Sequence, residues 1–134
     1  MGPRSRRQKL PEAKADHIVA VEPAESAVLA GKPSGSHQIE GVGIGFIPPR
    51  WQPELVNEIR AVTTEEAKDT ARRLARDEGI FAGVSSGANV AAAIQVARRL
   101  GQGATIATII IDSGLRYLST DVYRGGAGPD PETS

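Results

Sequence analysis

A chain of 134 residues with sixteen basic and sixteen acidic side chains has no formal net charge, so no overall field draws in nucleic acid or an anionic membrane surface. It contains no cysteine, which excludes a disulfide framework, a thiolate nucleophile and a cysteine-ligated metal and fits a cytoplasmic setting. The length suits one small domain that buries roughly two-thirds of its unfolded surface, and with two Phe, two Tyr and one Trp its core is built from Ala, Val, Ile and Leu.

In chain order, residues 1–16 form a tail whose basic start, Arg4-Ser5-Arg6-Arg7-Gln8-Lys9, lacks the apolar stretch of a secretory signal. Ile18-Val19-Ala20-Val21 predicts a buried strand that ends at Glu22-Pro23, because proline cannot continue a central ladder. Glycines and prolines then punctuate the chain as far as Pro53, a long connection with one helical turn near Ser26 to Ala30. A connection that long inside a compact domain is functional or disordered. Glu58-Ile59-Arg60-Ala61-Val62 alternates like a strand with one wet face.

Thr63-Thr64-Glu65-Glu66 reads as a capping box, Thr63 accepting from the backbone and Glu66 reaching back. The helix it opens carries Ala67, Ala71, Leu74 and Ala75 on one face and stops at Gly79 in a left-handed cap. A second helix, from about Gly87 to Leu100, is so rich in alanine that it must be mostly buried against close neighbours. Thr105 to Ile111 is a continuous β-branched run of the kind found at the centre of a parallel sheet covered on both faces, and the apolar stretch around it is far too short to span a bilayer. Asp112-Ser113-Gly114 turns the chain, Arg116 to Thr120 begins a short helix, and residues 124–134 are a disordered Gly/Pro/acidic tail. The alternation of strands and helices predicts an α/β domain with a parallel sheet, covering helices and right-handed crossovers.

Three segments could carry chemistry. Gly41-Val42-Gly43-Ile44-Gly45 invites a dinucleotide-binding reading, but Phe46-Ile47-Pro48-Pro49 follows where a helix N-terminus would have to hold a pyrophosphate, so the glycines read instead as a mobile or close-packed backbone ledge. Ser85-Ser86-Gly87, after the apolar segment Ile80 to Val84, puts two hydroxyls and free amides at a helix mouth; by pattern alone a simple cap is the better reading. Asp112 to Tyr117 by itself is a strand-ending turn. No Gly-x-Ser-x-Gly elbow supports a serine triad. His17 and His37 have no carboxylate at ligand spacing, so no metal site is expected.

The order of these segments says more than any one of them. Val19-Ala20-Val21-Glu22-Pro23, then His37-Gln38-Ile39-Glu40-Gly41-Val42-Gly43-Ile44-Gly45-Phe46-Ile47-Pro48, then Gly83-Val84-Ser85-Ser86-Gly87-Ala88, then Gly114-Leu115-Arg116-Tyr117-Leu118-Ser119-Thr120 closely resembles the C-terminal part of the cysteine synthase (O-acetylserine sulfhydrylase) and cystathionine β-synthase family, tryptophan-synthase-β-like enzymes that use pyridoxal phosphate. The resemblance covers residues 17–123 and implies part of the large domain of a fold-type II enzyme. It implies that Ser85 hydrogen-bonds the pyridine nitrogen of the cofactor. A neutral hydroxyl does not hold that nitrogen protonated as a carboxylate would, and the weaker electron sink suits β-elimination and replacement. It also implies that the loop from Gly41 to Gly45, with Gly41 and Gly43, lines the substrate site and helps it close. Cysteine synthases usually carry Gln where this chain has Glu40, and the related cystathionine β-synthases carry Glu.

The Schiff-base lysine, the Thr-Ser-Gly-Asn-Thr loop for the substrate carboxylate and the phosphate cradle of that family have no counterpart here. None of Lys9, Lys14, Lys32 and Lys68 matches the lysine motif. The expectation is a fragment that is inactive alone, with no catalytic residue of its own, doubtful cofactor binding and poor solubility from uncovered apolar surface. The resemblance further implies an amino-acid substrate for the full enzyme, homodimers, and docking of a serine acetyltransferase tail. A non-catalytic interaction module and one half of a split enzyme are the alternatives.

Overall fold

A computed structural model describes residues 16–124; apart from Asp16 and Arg124, the tails expected at 1–16 and 124–134 lie outside the described residues. Strand β1 (Val19–Pro23) and strand β2 (Glu58–Val62) form where the apolar periodicity places them. They pair in parallel, Val19 opposite Glu58 and Pro23 opposite Val62.

The connection between them has only short 3-10 turns, Ala24–Ser26 and Pro53–Leu55, yet side chains pin it. Glu22 is buried, and its carboxylate accepts the N–H groups of Leu29 at 2.9 Å and Ala30 at 3.2 Å. The Ser26 hydroxyl accepts from Gly35 at 3.1 Å, and the Glu25 carboxylate accepts the Thr64 amide at 2.7 Å. That last bond places a negative charge at the positive end of the first helix. Buried polar groups are thus satisfied by backbone amides of the loop itself, and the loop is ordered by them.

Helix α1 (Thr64–Glu78) begins as the sequence predicts, with the Thr63 hydroxyl accepting from the Glu66 amide at 3.1 Å. The reciprocal half of the capping box is absent among the described residues, because the Glu66 carboxylate accepts instead from Gln95 of the next helix at 3.0 Å. Gly79, at φ 68°, ends the helix. Helix α2 (Val84–Leu100) starts three residues earlier than expected. Gly83 is its extended N-cap, so Ser85 and Ser86 lie in the first turn rather than serving as caps.

The core lies between the two helices and under the sheet. Ala67 and Ala71 of α1 meet Ala88 and Ala91 of α2, joined by Val62, Val84, Ile39 and Tyr117. Gly87 is the closest approach: a Cβ there would lie 2.1 Å from the Ala67 carbonyl oxygen and 2.9 Å from the Ala71 nitrogen. α2 also contacts both strands, so the architecture is α/β, a small parallel sheet covered by helices.

The run from Thr105 to Ile111 corrects the sequence expectation. It forms no ladder among the described residues and is exposed, Ile109 to 71% and Ile111 to 56%. Strand structure needs a hydrogen-bonded neighbour, and β-branched composition cannot supply one. Two α2 side chains hold the run instead: the Ser86 hydroxyl accepts the Ile111 amide at 2.9 Å, and the Asn89 amide donates to the Ile109 carbonyl at 3.2 Å. The short helix expected at Arg116 to Thr120 is divided into a 3-10 turn, Gly114–Tyr117, and helix α3 (Asp121–Arg124).

Beside α2, the Glu58 carboxylate meets Arg99 at 2.6 Å, His17 at 3.1 Å and Arg60. These hydrogen bonds, Arg99 first, hold its carboxyl down from an ordinary value of 4.5 to about 2.

Gly87→Ala is expected to destabilise the fold by about 1–3 kcal/mol, read as a lower urea midpoint, because a backbone carbonyl and amide cannot retreat as a side chain can. The stability supplied by Glu58 is full above its unfolded value and is lost as pH falls from about 4.5 toward about 2. In Glu58→Gln, melts collected across that range should lose this part of the pH slope.

Candidate functional site

Two pieces of backbone meet at the start of α2. Residues 81–83 run beside 112–114: Ala82 and Ser113 form an antiparallel bridge, Gly114 donates to the Phe81 carbonyl at 3.0 Å, and Gly83 donates to the Asp112 carbonyl at 3.3 Å. The approach is tight. A Cβ on Gly83 would sit 2.1 Å from Asp112 Oδ1 and 2.6 Å from the Tyr117 ring. Tyr123 closes the corner, its hydroxyl donating to the Ala82 carbonyl and its ring 4.7 Å from that of Phe81, edge to face.

Tyr117 links this corner to the glycine loop. Its hydroxyl donates to Asp112 Oδ2 at 2.8 Å and lies 3.4 Å from a Glu40 oxygen. Burial first, and the hydrogen bond to Asp112 second, push the Tyr117 phenol far above its ordinary range, so it stays a neutral donor at any working pH. Arg116 lies 3.6 Å from Glu40 and 3.7 Å from Asp112, bridging the same two carboxylates from the solvent side. Asp112 Oδ1 is buried and has no partner among the described residues. Sequence reasoning gave Asp112 and Tyr117 no role beyond a turn, since nothing in a strand-turn pattern signals that its tyrosine reaches a loop seventy-seven residues earlier in the chain.

The glycine loop is shaped from within. The Ile39 amide donates to His37 Nδ1 at 3.1 Å, which leaves Nε2 to donate to the Gly43 carbonyl at 2.6 Å. Gly43 has φ 63°, and a Cβ there would lie 2.6 Å from the Pro23 ring, so position 43 admits only glycine on both conformational and steric grounds. Gly41, at φ 76°, faces open space. No helix follows this loop. At its base, buried Lys68 of α1 donates to Asp121 at 2.8 Å and to Gln38.

Ser85 lies in the first turn of α2, where amides have no intrahelical acceptor. It is 3% exposed. Ser86 is fully buried and engaged with Ile111. The structure therefore brings the Ser85 turn and the Gly41–Gly43 loop to one corner, linked by Tyr117, Asp112 and Glu40. Two clefts lie nearby, one lined by β1, α2 and residues 105–109, the other by His37, Lys68 and neighbours, and neither is lined by Ser85.

Residues 7–112 match the family described as pyridoxal-phosphate dependent enzyme. The chain belongs to this family. It is 47% identical over 106 residues to a cysteine synthase of Staphylococcus aureus, a match covering 79% of this chain and 34% of that protein. Among solved structures, a cysteine synthase from Entamoeba histolytica superposes with TM-score 0.80 at 43% identity, over 85% of this chain and 34% of that one. An O-acetylserine dependent cystathionine beta-synthase from Helicobacter pylori superposes with TM-score 0.74 at 38% identity, over 80% of this chain and 35% of that one. The chain spans about a third of the length of these pyridoxal-phosphate enzymes.

Of the groups such a cofactor needs, the described residues offer the Ser85 hydroxyl and the amides of the first turn of α2. Of the lysines, Lys32 is an exposed loop residue, Lys68 is buried and paired, and Lys9 and Lys14 lie outside the described residues. The fit is to one edge of the ring.

Tyr117→Phe should cost about 1–3 kcal/mol, because it leaves the Asp112 carboxylate short of its one close donor. Amide hydrogen exchange at Gly41 to Gly43 should accelerate in the same variant, since the tie from the corner to the loop is cut.

Proposed function

We propose that this chain forms the ring-nitrogen edge and substrate loop of a cysteine synthase-like enzyme, which replaces the acetoxy group of O-acetylserine with sulfide. The observation that carries this reading is the Ser85 side chain, buried in the first turn of α2 beside a glycine loop tied to the same corner through Tyr117. Pyridoxal phosphate, when bound, supplies the electron sink for chemistry at the substrate's β-carbon. The chain's own residues do the rest of what is proposed here. Ser85 offers a neutral hydroxyl to the ring nitrogen, Gly41 and Gly43 present backbone to the substrate, and the Asp112–Tyr117 pair holds the two in register.

The amine that anchors the cofactor and the cradle for its phosphate come from elsewhere in the assembly. Without them the 134 residues bind the cofactor weakly and do not turn over substrate. Homodimerisation and docking of a serine acetyltransferase tail are partner proposals that rest on family likeness. No described helix is long and apolar enough to cross a membrane, and the lack of cysteine supports a cytoplasmic setting.

A second reading concerns the nucleophile. Glu40 stands where cysteine synthases usually carry Gln, and its carboxylate is 3.6 Å from Arg116. A cystathionine β-synthase-like enzyme, taking a thiol amino acid in place of sulfide, is the reading this favours. Product analysis with sulfide and with homocysteine separates the two.

Titrating the purified chain with pyridoxal phosphate should give no visible band that borohydride fixes onto a lysine; a stable yellow adduct on any of the four lysines would overturn the proposal. In the assembled enzyme, Ser85→Ala should weaken cofactor binding about tenfold, the worth of one hydrogen bond. Unchanged affinity would remove Ser85 from the site.

A further inference from the structure

Two backbone neighbours hold His37 in one protonation state. Its Nδ1 accepts the Ile39 amide at 3.1 Å, so that nitrogen carries no proton, and its Nε2 donates to the Gly43 carbonyl at 2.6 Å. An imidazolium has a proton on both nitrogens and nothing left to accept with. Protonation therefore sets two N–H groups against each other at Ile39. That residue is 1% exposed, so its amide has no water to turn to and bears the desolvation penalty of an unmade bond. The second bond reaches the loop itself. A Cβ on Gly43 would lie 3.0 Å from Nε2 and 2.6 Å from the Pro23 ring, which wedges the left-handed glycine between the imidazole and the end of β1.

The same histidine lines a polar cleft of about 370 Å³. The charged groups there come from each element packed around it: Glu25 after β1, Glu65 and Lys68 on α1, and Asp121 on α3. Glu25 holds the Thr64 amide at 2.7 Å and Lys68 donates to Asp121 at 2.8 Å. Glu40, three residues along the loop, is turned instead to Arg116 and Tyr117. Three carboxylates against one ammonium leave the cleft negative, with room for an imidazolium that has let go of the loop.

We infer that His37 is a positioning residue whose proton sets the order of residues 41–45. Neutral, it ties Ile39 to Gly43; protonated, it releases both and turns toward the carboxylates of the cleft. Imidazole changes charge between about pH 5 and 8, so the brace is made at the upper end of that range, and the order it supplies is lost as pH falls through the titration of His37. This rests on the functional reading above only in calling residues 41–45 a substrate loop. In that setting the apparent affinity for an amino-acid substrate falls with the ordered fraction of the loop.

Deuterium uptake by the 134-residue chain, read by mass spectrometry at low protein concentration from about pH 8 to about pH 5, tests the inference. Exchange at the imidazole Cε1 gives the titration midpoint of His37 separately from that of His17, and amide protection factors give the order of residues 39–45. Protection at Ile39 and across the loop should fall at least about tenfold, the worth of one hydrogen bond, with the midpoint of His37. His37→Gln keeps a donor near the place of Nε2 and His37→Asn keeps an acceptor near the place of Nδ1. Neither side chain titrates, so in each variant the pH dependence of loop protection should vanish. His17→Gln removes the other histidine, whose partner is Glu58, and should leave that dependence intact. Three results would overturn the inference: no titration of His37 in this range, loop protection indifferent to that titration, or the same pH dependence surviving in either His37 variant. A loop that follows His37 while Ser85→Ala leaves cofactor affinity unchanged would keep the inference and sink the functional reading. Ser85-dependent cofactor binding beside a loop indifferent to pH would do the reverse.

Discussion

The contact on which the rest depends is the crossing of α1 and α2 at Gly87. The Ala67 carbonyl lies where a Cβ would be, so the two helices touch backbone to backbone, and alanines on both sides extend the contact. Dispersion between close-packed atoms is collectively large and falls steeply with separation. A gap of one methyl group would therefore loosen the contact along its length. The crossing lies one turn into α2, so it also determines where the first turn, with Ser85 and Ser86, points.

From that turn outward the molecule is organised by backbone groups that need partners. Gly83 and Gly114 pair across to residues 112 and 81, Ser86 takes the amide of Ile111, and Asp112 takes the hydroxyl of Tyr117. Asp112 Oδ1, buried and without a partner among the described residues, sits at this corner. An unmet acceptor of this kind is costly in a finished core. On the opposite side of α2, β1 and residues 105–111 share no ladder among the described residues.

The helices and the two paired strands were legible because their signals are local. Thr63 and Gly79 mark the ends of α1 by hydrogen bonds that close within four or five residues, and β1 stops at a proline. The start of α2 was misplaced because a glycine cap leaves no side-chain signal and serine is equally at home one turn inside. Glu66 was misread for a tertiary reason, Gln95 being a partner on another helix. Of the site, Ser85, Gly41 and Gly43 came from likeness to a family. Tyr117, Asp112 and the His37 bracing of the loop were invisible, since their partners are separated in sequence and nothing in either segment names the other.

By itself, then, the sequence determined element type, the small-residue core and the order of motifs that marks the family, because these depend on side-chain size, periodicity and near-neighbour hydrogen bonds. Tertiary structure decided whether a β-branched run becomes a strand. Thr105 to Ile111 has every propensity for one and is not one among the described residues, because sheet structure is a property of pairs of segments, and propensity belongs to one.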